Sequence, residues 1–318
     1  MNKLIPAKLN SGDTIGVISP SGPVRIRELY DRGVGYLRGK GYEILEAPHA
    51  LSRLYHMSAS GKEKAEDIHA MFVDPHVKAL FPSVGGHTAN QVIEHLDWDV
   101  IRSHPKIVFG FSDNAVLINA IFAKTGLVCF HSLCDVVFGF GVFGQGKLQT
   151  DGDYTSKQLF NVITKAQPAG VVPQLSKWTA LRSGVAEGPL IGGNLSTLRS
   201  LIGTEYEPHW DGCVLFLEDS AEPHTWDQQL GHLRLAGILN RIGGLVVGKV
   251  EKPDTFYPEN YRPLQDIFLQ QCDRTRIPIL YGVDLGHNVE NCTLPIGIRA
   301  RLDCTKGSLE LLEAAVKE

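Results

Sequence analysis

Ser112 stands in Gly110-Phe111-Ser112-Asp113-Asn114, between an apolar run that ends at Phe111 and a helix-spaced run that begins after Asn114. A serine on a sharp strand-to-helix turn is exposed at the C-terminal end of a sheet, beside backbone N–H groups, and can serve there as a nucleophile. The usual form of that turn is G-x-S-x-G, and here Asn114 takes the place of the second glycine. Helix capping is the competing reading, because Ser and Asp are both good N-caps. A nucleophilic serine needs a base within hydrogen-bond reach and an acid that orients the base. His287 and His131 are the candidate bases. Glu218, Asp219 and Asp284 are the candidate acids. Gly85-Gly86 follows another apolar run, and a glycine turn ahead of a helix leaves N–H groups pointing outward. With the N–H of Asp113 it could hold an oxyanion, each donor contributing about 3 kcal/mol in the transition state.

The elements that must position these residues alternate. Strand-like runs "TIGVISP", "YEILEAP", "VKALFPSV", "KIVFGF" and "LVCFHS" are separated by helix-like runs, including "SGKEKAEDIHAMFVD" and "TANQVIEHLDWDVIRSH". That order predicts right-handed crossovers and a mainly parallel sheet with helices on both faces. Ligands in such sheets sit beyond the C-terminal strand ends, where Ser19, Ser21, Gly85, Gly86, Ser112 and His131 all fall. Ser19 and Ser21 read as ordinary turn residues around Pro20. From 139 to 189 the rhythm breaks into Gly- and Pro-rich sequence, which places a connection there and makes it a candidate cleft wall. The second half resumes with "GGNLSTLRSLIG" as a loop and helix, "CVLFLEDS" and "IGGLVVGKV" as strands, and "IRARLDCTKGSLELLE" as a terminal hairpin. The expected organisation is an α/β domain over 1–165, a linker over 166–185, and a smaller α/β domain over 186–318.

Composition narrows the function classes. The 318 residues carry a net charge of -4, which gives no reason to expect nucleic acid or an anionic membrane as partner. No apolar run is long enough to cross a membrane, and the N-terminus has no secretory pattern, so the cytoplasm is the expected location. None of the six cysteines forms a C-x-x-C pair, and no H-E-x-x-H occurs. No metal and no cofactor is expected. "GVISPSG" is not G-x-G-x-x-G, which argues against a dinucleotide site.

Four segments in order, "PKIVFGFSDNAVLINAIFAKTGLVCFHS", "GPLIGGNLSTLRSLIGT", "VLFLEDSAEPHTWDQQLGHLRLAGI" and "GHNVENCTLPIGIRARLD", resemble the LD-carboxypeptidase family of serine peptidases, over nearly the whole chain. The resemblance implies a Ser-Glu-His triad in that chain order: Ser112 in "GFSD", Glu218 in "FLED" and His287 in "LGHN". It implies Gly86 and Asp113 as oxyanion donors, and a homodimer. Gly85, His87 and Trp178 are then candidate substrate-binding residues, His87 at the rim and Trp178 as the aromatic of the inter-domain region. The sequence looks closer to the branch that resembles microcin C self-immunity proteins, which hydrolyse peptidyl- or aminoacyl-nucleotide amides. The alternative branch releases terminal D-Ala from murein tetrapeptides. The expected partner is therefore a small peptide or an aminoacyl-nucleotide. A non-catalytic small-molecule binding protein on the same fold is the third reading.

Overall fold

The computed structural model describes residues 2–133, 154–250, 262–287 and 290–318. The first half runs β1 (Thr14–Ile18), α1 (Arg27–Gly39), β2 (Glu43–Glu46), α2 (Gly61–Val73), β3 (Val77–Pro82), α3 (Asn90–Ile93), α4 (Trp98–Ser103), β4 (Ile107–Gly110), α5 (Ala115–Thr125) and β5 (Phe130–His131). After α6 (Tyr154–Ile163) come β6 (Gly170–Val171), β7 (Thr179–Arg182), β8 (Val185–Asn194), α7 (Leu195–Leu198), β9 (Val214–Glu218), α8 (Pro223–Leu235), β10 (Gly244–Gly248) and α9 (Leu264–Gln271). The chain ends with β11 (Ile279–Val283), β12 (Leu294–Pro295), β13 (Arg299–Asp303) and β14 (Ser308–Leu311).

Two sheets result. The first has the order β12-β5-β4-β3-β1-β2, with β1 to β5 parallel. The second has the order β6-β14-β13-β8-β9-β10-β11-β7, with a parallel centre from β8 to β11 and antiparallel flanks. The central strands are buried throughout, as in "IVFG" of β4 and "VLFLE" of β9. This is why they read as unbroken apolar runs and not as alternating ones. In the first sheet the chain goes from β1 outward to β2, then returns to β3 on the other side. The order thus reverses between β1 and β3, and a crevice opens beyond their C-terminal ends.

Local chemistry sets the helices. Ser60 and Glu63 form a reciprocal capping box at the start of α2. The single helix expected over "TANQVIEHLDWDVIRSH" is two, because the Asp97 carboxylate accepts from the N–H groups of Asp99 and Val100 and starts α4 afresh. The expected loop "GGN" before α7 is instead the end of ten-residue β8, whose residues pair in parallel with β9 as far as Asn194 opposite Glu218. Of the expected linker, residues 170–171 and 179–182 are β6 and β7, at opposite ends of the second sheet. The two halves are tied together: β12 pairs with β5, and Asn119 on α5 donates to the Gly192 carbonyl at 2.8 Å. Residues 139–153 of the expected cleft wall lie outside the described residues, as does Cys134. Among the described residues no helix is long and apolar enough to cross a membrane.

Candidate active site

The turn after β4 is tight because α5 folds directly back over it. A side chain at Gly110 would lie 2.6 Å from the Asn114 carbonyl oxygen and 2.8 Å from Ile118. Ser112 pays for this geometry with φ = +55°, a left-handed conformation that non-glycine residues seldom adopt. Asn114 needs no glycine. Its φ is −69°, and its side-chain N–H donates to the Val84 carbonyl at 3.0 Å.

His287, in the loop after β11, reaches across to this serine from the second half of the chain. Its Nε2 lies 2.9 Å from Ser112 Oγ, and its Nδ1 lies 2.7 Å from Glu218 Oε2. The tautomer that fits both partners carries its proton on Nδ1, donates it to Glu218 and accepts the serine hydroxyl proton at Nε2. Glu218 ends β9 and is 1% exposed. Burial alone would push its pKa up. The charge and hydrogen bond of His287, with His131 and Asn194 nearby, outweigh burial and hold the carboxyl below its ordinary value. Burial would likewise lower the His287 pKa, and Glu218 reverses that and raises it. The His287 loop is fixed by Asn291, whose side chain accepts from the Gly286 N–H at 2.9 Å and donates to the Gly286 carbonyl at 2.8 Å.

The competing residues are placed elsewhere. His131 is fully buried, its ring 5.3 Å from those of Phe111 and Phe216, and burial pushes its pKa down to about 4. It makes no hydrogen bond to Ser112. Asp219 accepts from the Ser196 and Ala221 N–H groups. Asp284 accepts from the N–H groups of Leu175 and Ser176, the Ser176 hydroxyl and the Trp178 indole.

Gly85 and Gly86 face the serine from the neighbouring loop. A side chain at Gly85 would lie 3.1 Å from Ser112 Cβ and 3.3 Å from its Oγ. Gly85→Ala is therefore expected to displace Ser112 and, if that serine reacts, to lower kcat/KM by about 10²-fold or more with little loss of stability, read from steady-state rates beside a thermal melt. Asp113 does not cap α5, as the sequence suggested it could. Its carboxylate turns to the other loops, accepting from the Ala89 N–H at 2.8 Å and from the Ser21 hydroxyl. Ser21 is thus more than a turn residue. Its carbonyl accepts from Thr88 Oγ1 at 3.2 Å, and Thr88 Oγ1 accepts from the buried Lys64 ammonium at 2.9 Å. Burial pushes Lys64 down to about 8, with Asp113 opposing the shift. Lys64, Thr88, Ser21 and Asp113 together lock the loops after β1, β3 and β4. The N–H groups of Gly86 and Asp113 make no hydrogen bond among the described residues.

His87 is exposed. Trp178 is not: it is 5% exposed, packs in the core and donates its indole N–H to Asp284 at 2.9 Å. Its ring thus offers little open surface, in contrast to the exposed aromatic the sequence suggested. Trp178→Phe is expected to cost about 1–3 kcal/mol of stability, seen as a lower Tm, and to leave KM unchanged.

The LD-carboxypeptidase N-terminal domain matches residues 15–132 and the LD-carboxypeptidase C-terminal domain matches residues 187–302. The chain belongs to the LD-carboxypeptidase family. Within that family it is 32% identical to a probable murein peptide carboxypeptidase of Bacillus subtilis, over 98% of this chain and 95% of the relative. It is 29% identical to the microcin C7 self-immunity protein of Escherichia coli, over 98% of this chain and 96% of that one. The solved structure of microcin C7 self-immunity protein with aspartyl sulfamoyl adenosine superposes with a TM-score of 0.89 at 26% identity, over 99% and 100% of the two chains. The muramoyltetrapeptide carboxypeptidase of Oxalobacter formigenes superposes at 0.77 and 26% identity, over 96% and 100%. As an LD-carboxypeptidase family member, this protein is a serine hydrolase with the two-sheet α/β architecture of its relatives.

Proposed function

We propose that Ser112, His287 and Glu218 are the catalytic triad of an amidase of the microcin-immunity type, which cleaves the amide between an aminoacyl or peptidyl carboxyl group and a modified nucleotide. The observation that carries this reading is the His287 ring bridging Ser112 and Glu218 at 2.9 and 2.7 Å. His287 takes the hydroxyl proton as Ser112 Oγ attacks the carbonyl carbon. The N–H groups of Gly86 and Asp113 receive the oxyanion, within turns already fixed by Ser21 and Thr88. His287 returns the proton to the leaving nitrogen, and the acyl group is then transferred from Ser112 to water. Glu218 holds the imidazole in the required tautomer and stabilises its charged form without taking the proton. Gly85 lies against the reacting serine, His87 stands at the mouth of the site, and the protein works as a homodimer in the cytoplasm.

The closer superposition on the immunity protein, 0.89 against 0.77, supports the nucleotide-type substrate. The 32% identity to the murein peptide relative supports the second reading, release of terminal D-Ala from murein tetrapeptides. Mass-spectrometric assays of both substrates separate them. Release of sulfamoyl adenosine from aspartyl sulfamoyl adenosine supports the first reading, and release of D-Ala from the tetrapeptide supports the second. Binding of either without turnover would overturn both.

A further inference from the structure

We propose that the cleft lined by Pro23, Arg25, Arg53, Tyr55 and His56 receives the anionic group, carboxylate or phosphate, of the ligand that reaches Ser112. The proposal rests on the reading of Ser112 as the reacting residue. The cleft is open, with a volume of about 700 Å³, and no acidic side chain lines it. Such a volume suits part of a small ligand. Among the described residues neither Arg25 nor Arg53 forms an ion pair, whereas the neighbouring Arg27 is committed to Asp31. Arg53 is steadied through its Nε, which donates to the Tyr55 carbonyl at 3.3 Å. Two guanidinium groups without acidic partners, at one open cleft, match the forked geometry of a carboxylate or phosphate.

The backbone of the cleft is also unusual. Leu54 and Met57 exchange hydrogen bonds of 2.7 and 2.9 Å, closing a turn with Tyr55 and His56 at its tip. Tyr55 sits there at φ = +57° and is 83% exposed. No core packing requires this strain in an aromatic residue, and such strain concentrates where ligands are clamped. The cleft adjoins the turn beside the serine: a side chain at Gly22 would lie 3.8 Å from the His56 carbonyl oxygen and 2.9 Å from that of Gly85. Pro23 follows Gly22, whose N–H donates to the Gly85 carbonyl at 3.1 Å, and Gly85 is the residue that abuts Ser112.

Titration calorimetry on Ser112→Ala protein tests this without turnover. Two pairs of probes are compared: a murein tetrapeptide ending in D-Ala against its C-terminal amide, and adenosine monophosphate against adenosine. In one pair the anionic member should bind about tenfold or more tighter, and Arg25→Ala with Arg53→Ala should erase that preference. Preference in the peptide pair identifies a carboxylate, and in the nucleotide pair a phosphate. Should the combined variant fail to fold, Arg25→Gln and Arg53→Gln separately should each reduce the preference. No anion preference in either pair, or a preference that survives the arginine substitutions, overturns the proposal. A wild-type protein that binds with this preference but hydrolyses neither substrate overturns the triad reading and leaves the cleft assignment standing.

Discussion

Replacing Ser112 with alanine is expected to lower kcat roughly 10⁴- to 10⁶-fold while the fold and ligand affinity persist. In the proposed mechanism the hydroxyl oxygen is the atom that bonds to the substrate, and nothing else in the site is placed to stand in for it. Retained folding is expected because the Ser112 side chain contributes little packing. The main-chain strain, φ = +55°, remains in the alanine variant. Ser112→Gly separates the two roles. Glycine adopts that conformation without penalty, so this variant should match or exceed wild-type stability, by up to about 1 kcal/mol, and be equally inactive. Thermal melts beside single-substrate rates check both variants. A Ser112→Ala protein that turns over within tenfold of wild type would remove the serine from the mechanism.

Glu218→Gln should have the second largest effect, lowering kcat by about 10²- to 10⁴-fold. The amide no longer holds His287 in the tautomer that accepts from Ser112, and it no longer stabilises the imidazolium formed in the transition state. The pH profile carries a signature that mere misfolding would not. In the wild-type protein His287 has a raised pKa because Glu218 outweighs burial. The base is useful only when neutral, so kcat/KM should fall as pH drops through that raised value. Without the carboxylate, burial dominates and the His287 pKa falls. The acid limb of Glu218→Gln should therefore move to lower pH. An acid limb that stays in place, or moves to higher pH, would show that another group is the base.

The parts of the site legible in the sequence are those that lie at strand ends. Ser112, Glu218 and His287 each follow a run of buried apolar residues, and the parallel topology brings such ends to one side. What the residues alone left open was pairing across the two halves. His131 and His287 are equally well placed along the chain, and only the docking of β9 and β11 near β4 puts His287 at the serine and His131 behind it in the core. The supporting network was not legible. Lys64 lies in the first turn of α2 and Thr88 in a loop, and nothing local marks them as partners of Ser21 and Asp113. Asp113 looked like a helix cap because its type and position fit one, but the turn aims its carboxylate away from α5. Trp178 looked like a substrate-binding residue because it is the aromatic of the inter-domain region, which the family resemblance places beside the substrate. Its indole instead completes the shell of Asp284. The "IGGN" glycines looked like a loop, whereas they end β8: a side chain at Gly192 would collide with Phe216 of β9, and one at Gly193 with Ala115 of α5.

The most direct test of the account is covalent. Treatment with a small serine-directed fluorophosphonate, followed by trypsin and mass spectrometry, reads the peptide 107–124, in which Ser112 is the sole hydroxyl-bearing residue. The predicted result is one phosphonyl adduct on that peptide, rising in step with the loss of turnover and absent from Ser112→Ala protein. Full inactivation with the peptide unmodified, or full modification with turnover unchanged, would contradict Ser112 as the nucleophile.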